Sequence, residues 1–248
     1  MTEELDISRT LTKNGIRLFI LRFDLMPLQS IDFIRIINSI SESADRTEKR
    51  IKTGIKVDIK AGKSEVTNVT TEDYVLLNDT TGISMTFSKD ANAFWFETKQ
   101  YLDNKTYKYN IANIIHALNE SDPNIISKRI GMRFINEYRC TTLKNISKIY
   151  NSRLAKNIIQ MADQEYASRI IGHEEFNYSN YKLRVQYGIP NKFYPAILNN
   201  YDLLLDIDAF DDTQQKLDKW EAVISELNHL AYNKFIEVIN RKFLEELK

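Results

Sequence analysis

Apolar and polar residues alternate with period two along much of this chain, and stretches of period near 3.6 interrupt the alternation. Residues 16–25 (IRLFILRFDL) are too apolar and too branched for a loop and predict a buried strand. Pro27 then opens a helix at the position its fixed φ suits, and Ile31, Ile34, Ile37 and Ile40 give that helix a buried stripe. Residues 50–60 alternate, with Ile51, Ile55, Val57 and Ile59 on one face. Arg50, Lys52, Lys56, Asp58 and Lys60 take the other, as in an antiparallel strand wet on one side. A strand near 65–77 follows, then Ile83, Met85 and Phe87, then Phe94, Trp95 and Phe96, with turn residues at each corner. Helical spacing returns over 107–120.

The order then begins again. Residues 128–137 predict a strand with Ile130, Met132 and Phe134 on one face and Arg129, Gly131 and Arg133 on the other. A long helix is expected over 142–162, strands near 165–176, over 181–189 and over 201–210, and a helix capped by Asp212 or Thr213 that runs toward the C-terminus. Each half therefore reads as strand, helix, antiparallel strands, helix. The expected fold is α+β, with two pseudo-repeated lobes, 1–125 and 126–248, or one continuous domain. TATA-binding-protein-like and helix-grip architectures share this element order, by analogy alone.

Composition narrows the function. Of 248 residues, 43% are hydrophobic, enough for a sizeable core. Lys+Arg and Asp+Glu both number 34, which argues against a generic nucleic-acid coat while leaving room for a local patch. Cys140, the one cysteine, forms neither an internal disulfide nor a multi-cysteine metal site. No apolar run has the length of a membrane span, and the acidic first residues do not resemble a secretory signal, so a cytoplasmic protein that does not engage a membrane is expected.

Three constellations are candidates for chemistry. Lys128, Arg129, Arg133, Arg139, Lys144, Lys148, Arg153 and Lys156 are opposed only by Glu137 between residues 127 and 162. Arg129, Arg133, Lys144 and Lys148 form the candidate binding surface, for phosphates of a nucleic acid or nucleotide. The plainer reading is a solvated face with salt bridges to acidic neighbours. Asp202, Asp206, Asp208, Asp211 and Asp212 are such neighbours, and Asp206 and Asp208 form a candidate acidic face. Closely placed carboxylates can hold a divalent metal for phosphoryl chemistry, but packing against the basic segment or a partner is the favoured role. His116, His173 and His229 lack metal-pair spacing and read as ordinary, partly buried histidines. On a wet face Trp95 could stack on a base or anchor a partner protein, and on a helix-covered face it belongs to the core, which is favoured.

The segment Arg129-Ile130-Gly131-Met132-Arg133-Phe134-Ile135-Asn136 resembles the R-I-G-L-R-Y-I-N strand of a sporadically distributed, functionally uncharacterised bacterial family. Arg22-Phe23-Asp24 is similar to that family's opening F-R-F strand, and Leu205-Asp206-Ile207-Asp208 to its late L-D-I-D strand. Leu227-Asn228-His229 and Phe235 are similar to its final helix. The patchy distribution of the family implies cargo of mobile elements, such as phage-defence or toxin–antitoxin modules. It implies no cofactor and no catalytic residue. The leading expectation is a non-enzymatic component that binds a protein or ligand. A nucleic-acid or nucleotide binder using 128–156 is second, and a metal-dependent phosphoryl-transfer enzyme third.

Overall fold

The computed structural model describes residues 15–26, 36–38, 44–60, 63–99 and 104–247. They form a mixed structure of strands β1 (Ile16–Leu25), β2 (Arg46–Lys60), β3 (Lys63–Asn78), β4 (Ile83–Ser88) and β5 (Ala93–Thr98), followed by helix α1 (Asn104–Ser121). Strand β6 (Ile126–Tyr138) leads into α2 (Leu143–Ile149) and α3 (Ser152–Ala162), then β7 (Ile170–Asn177), β8 (Lys182–Ile189), β9 (Leu203–Asp211) and the short β10 (Gln215–Lys216). Helix α4 (Trp220–Val238) and α5 (Arg241–Leu247) complete the order.

The strands make one antiparallel sheet in the order β2-β3-β4-β5-β1-β6-β9-β8-β7, with β10 beside β6. The join between the halves of the chain is the β1–β6 ladder, in which Phe19 faces Phe134, Leu21 faces Met132 and Phe23 faces Ile130. Those residues point to the face that the helices cover. Tyr107 of α1 stacks against Phe19, Lys234 of α4 sits over Phe176 of β7, and Phe243 of α5 meets Tyr138 edge-on. Tyr107, Ile111, Ile114, Ile115 and Leu118 bury one side of α1, as their spacing predicts. Residues 36–38 are helical, with Ile36 and Ile37 in the same core; Pro27, Ile31, Ile34 and Ile40 lie outside the described residues.

Several expected boundaries change. The helix expected over 142–162 breaks into α2 and α3, and the C-terminal helix breaks between Val238 and Arg241. Both breaks have one cause. Extended Tyr150 bridges Ile239, Asn151 N–H donates to the Val238 carbonyl at 2.8 Å, and Asn240 N–H donates to the Ile149 carbonyl at 2.7 Å. Asn151 then caps α3 by accepting from Leu154 N–H. Strand β7 begins at Ile170, not near 165. Asp211, not Asp212 or Thr213, organises the turn after β9: its carboxylate accepts from the Thr213 backbone and hydroxyl and from Gln215. The last long helix starts only at Trp220.

From Lys63 to Glu72, β3 pairs only with β2 among the described residues, because β4 pairs only with Asp73–Asn78. The segment from Ile51 opposite Glu72 to Lys60 opposite Lys63 is therefore a two-stranded ribbon projecting past the sheet. Ile51 is 62% exposed there, so the one-sided burial expected of this strand does not hold at that position. The side chains of Ile55, Val57 and Ile59 lie outside the described residues.

Candidate functional site

Residues of opposite parity on the same strands point to the other face, on which no helix lies among the described residues. Arg22 and Asp24 of β1 register with Gly131 and Arg129 of β6, and Arg133 registers with Asp208 of β9. Asp208 registers in turn with Arg184 of β8, and Arg184 with Glu175 of β7. On the other side Arg22 registers with Trp95 of β5. Strand periodicity thus lines up a row of arginines and carboxylates across the middle of the sheet.

The pairing is specific. Arg133 grips Asp206 through Nε at 2.9 Å and Nη2 at 2.6 Å, the two-point geometry that suits guanidinium and carboxylate. Arg129 Nη2 donates to both oxygens of Asp208, at 3.1 and 3.0 Å, and its Nη1 lies 3.9 Å from Asp24. Arg22 holds Asp24 at 2.6 Å, and Arg184 holds Glu175 at 2.9 Å. The aromatic rings brace these groups. Phe210 is buried between the guanidiniums of Arg129 and Arg184, at 4.6 and 4.9 Å, and Arg22 stands 5.2 Å over Trp95. Burial pushes the carboxyl of Asp208 above its ordinary value, against the pull of Arg129 and Arg133. The hydrogen bonds to Asp206 push the Arg133 guanidinium further up.

The glycine of the central strand has a place in this arrangement. A Cβ on Gly131 would stand 2.7 Å from Arg129 Nη1, so the guanidinium of Arg129 occupies the space a side chain would fill.

The candidate residues therefore divide. Arg129, Arg133, Asp206 and Asp208 come together on the helix-free face. Lys144 and Lys148 do not join them: they are exposed on α2, which belongs to the helix layer. Asp202 precedes β9 and pairs with Lys192 at 3.5 Å. The histidines are exposed, not partly buried: His116 lies beside Glu120, His173 beside Glu175, and His229 bonds Asn233. Trp95 is half-buried on the helix-free face, not in the core, while Phe94 and Phe96 are core residues. Among the described residues, no group of three or more His, Cys, Asp or Glu side chains is placed to hold a metal. Cys140 is buried, and burial pushes its thiol up to about 11.

Arg184, Glu175 and Phe210 join the row with no role assigned to them by the sequence, and Arg22 and Asp24 are marked there only by the family resemblance. The parity of Arg22 and Asp24 within 16–25 was a usable signal; the adjacency of β8 to β9 was not available locally. No described helix is long and apolar enough to cross a membrane. Comparison with family models, with curated proteins and with solved structures finds no match for this chain.

Proposed function

We propose that this chain is a non-enzymatic binding protein that receives a protein partner on the helix-free face of its sheet. The observation that carries the reading is the state of the candidate acids. Asp206 and Asp208 are each gripped by an arginine, so they serve to fix guanidiniums on an open face and are not free to act as a base or a metal clamp. The strand order supports a pseudo-repeat around the central pair: β1-β5-β4-β3-β2 on one side and β6-β9-β8-β7 on the other. That order favours the TATA-binding-protein-like reading over a helix-grip arrangement, which accounts less well for the central β1–β6 pair. On that reading the face opposite the described helices is the binding surface. The placement of the protein in a mobile-element-linked bacterial module, of the phage-defence or toxin–antitoxin kind, rests on the sequence resemblance.

The nucleic-acid reading is the second. It loses support because Lys144 and Lys148 lie apart from Arg129 and Arg133, and because the two arginines have counter-charges at contact distance.

Co-purification of the tagged full chain from its own host tests the reading. A stoichiometric protein partner should be retained by the wild type and by Lys144→Ala/Lys148→Ala. It should be lost with Trp95→Ala/Arg133→Ala. Nucleotide or nucleic-acid turnover that disappears in Asp206→Ala would overturn it.

A further inference from the structure

The charges on the helix-free face are layered as well as paired. The side chain of Arg133 is 45% exposed and that of its partner Asp206 only 8%. Lys52 is 65% exposed and its partner Asp73 only 6%; Arg22 is 38% exposed and Asp24 only 19%. The same order holds for Arg46 and Arg50 over Glu48, while Arg129 is nearly level with Asp208 and Arg184 with Glu175. The cause is side-chain length. A short aspartate on a strand stays near the sheet floor, and a long arginine or lysine reaches over it to solvent. These pairs run diagonally across the ladders: Lys52 registers with Thr71 and reaches Asp73, and Arg133 registers with Asp208 and reaches Asp206. The face thus carries recessed carboxylates under outward N–H donors, although the chain as a whole has no net charge.

We infer that the partner bound by this face presents an acidic protein surface, whose Asp and Glu carboxylates accept from the outward edges of Arg22, Lys52 and Arg133. This rests on the binding reading above and adds the partner's chemistry. Arg133 illustrates the fit. Nε and Nη2 are engaged by Asp206, and Nη1 has no partner among the described residues, so a second carboxylate can be added without breaking the first pair. Trp95 beside Arg22 supplies an aromatic anchor of the kind that concentrates binding energy at protein interfaces.

A duplex nucleic acid fits less well. Its affinity comes from net neutralisation of phosphates and release of their counterions. Here each cation has a carboxylate within about 3 Å, so the field of each pair fades within a Debye length of ~8 Å. What remains is a short-range donor surface, suited to carboxylates that dock at contact distance.

Poly-L-glutamate is the probe, titrated into the full chain at low ionic strength and followed by tryptophan emission. Trp95 reports from the face, while Trp220, the first residue of α4, is buried and gives a steady background. Saturable binding is expected, with poly-L-glutamine inert. Arg133→Gln and Lys52→Gln should each weaken it by about three- to tenfold, the weight of a partly exposed charge-assisted hydrogen bond. Lys52 is an exposed residue at the base of the ribbon, so its variant keeps the test open should Arg133→Gln unfold. Lys144→Gln/Lys148→Gln should bind as the wild type does. Absence of binding, equal weakening by the α2 variant, or tighter binding of duplex DNA of matched charge would each overturn the inference. Should poly-L-glutamate fail while the co-purified partner still depends on Trp95 and Arg133, the acidic chemistry falls and the binding role stands. Loss of both removes the binding role as well.

Discussion

Arg129 lies across Gly131 and takes the place of its missing side chain. The guanidinium there stands 4.6 Å over the Phe210 ring and donates through Nη2 to the carboxylate of Asp208. Gly131→Ala should displace Arg129 without breaking β6, because the obstructing atoms are the end of a flexible side chain. The expected loss is about 1–2 kcal/mol, from a weakened stacking contact and ion pair. A urea-denaturation cycle with Arg129→Ala should show coupling: the alanine at 131 costs less once Arg129 is gone. Strict additivity would mean that the close approach has no energetic consequence.

Arg133 and Asp206 test the difference between breaking a pair and replacing it. Arg133→Met leaves the recessed carboxylate of Asp206 without its partner, and a loss of about 1–3 kcal/mol is expected. Arg133→Met/Asp206→Leu should recover most of it, because neither charge then remains desolvated alone. Chemical denaturation of the two variants decides the matter. A double variant less stable than the single one would mean that the pair itself stabilises the fold.

Two carboxyls on the same face give opposite pH dependence. Burial pushes Asp73 up, but hydrogen bonds from Lys52 and Ser88 outweigh it and leave the group below its ordinary value. Its contribution to stability is therefore complete above the unfolded value, near pH ~4, and is lost as pH falls through the lower folded value. Burial leaves Asp208 above its ordinary value, so it binds a proton more readily folded than unfolded, and its contribution falls as pH rises through that window. Stability measured from neutral to acidic pH should show the gap between wild type and Asp73→Asn closing as the acid limit is approached. Asp208→Asn should change the slope in the opposite direction. Slopes of the same sign in both variants would contradict these environments.

Two buried phenols separate a satisfied hydroxyl from an orphaned one. Tyr150 is fully buried and its hydroxyl donates to the Leu204 carbonyl at 2.6 Å. Tyr150→Phe should cost about 1–2 kcal/mol, since the carbonyl loses a donor in a dry site. The Tyr138 hydroxyl is buried without a hydrogen-bond partner among the described residues. Tyr138→Phe should be neutral or stabilise by up to about 1 kcal/mol. Thermal unfolding of both variants measures the contrast, and equal destabilisation would show that the Tyr138 hydroxyl is satisfied in solution.

Much of this was legible in the sequence wherever one face of an element is buried. Ile130, Met132 and Phe134 alternate with Arg129, Gly131 and Arg133, and the same alternation sets the two faces in the folded sheet. The expectation that the Asp cluster packs against the basic segment also agrees with the Arg129–Asp208 and Arg133–Asp206 pairs. Tertiary contacts account for what was missed. Nothing near Tyr150 announces that Ile239 will bridge it and break two helices at once. Nothing in Phe94-Trp95-Phe96 tells which face is wet; Trp95 is on the open one because β5 lies beside β1. Lys144 and Lys148 share a helix turn, but which layer that helix joins depends on strands distant in sequence.

The central ladder also sets how the chain can be divided. Strands β1 and β6 are separated in sequence by helical residues 36–38, strands β2 to β5 and helix α1, yet adjacent in the sheet, and the connection into β6 passes through exposed Pro123 and Asn124. A chain opened there yields two pieces that each carry one side of an antiparallel seam lined by Phe19, Leu21 and Phe23 or by Ile130, Met132 and Phe134. Each piece alone presents that seam as a sticky edge, prone to aggregate. Expressed together, the pieces have a built-in address for each other, which makes this fold a natural candidate for fragment complementation.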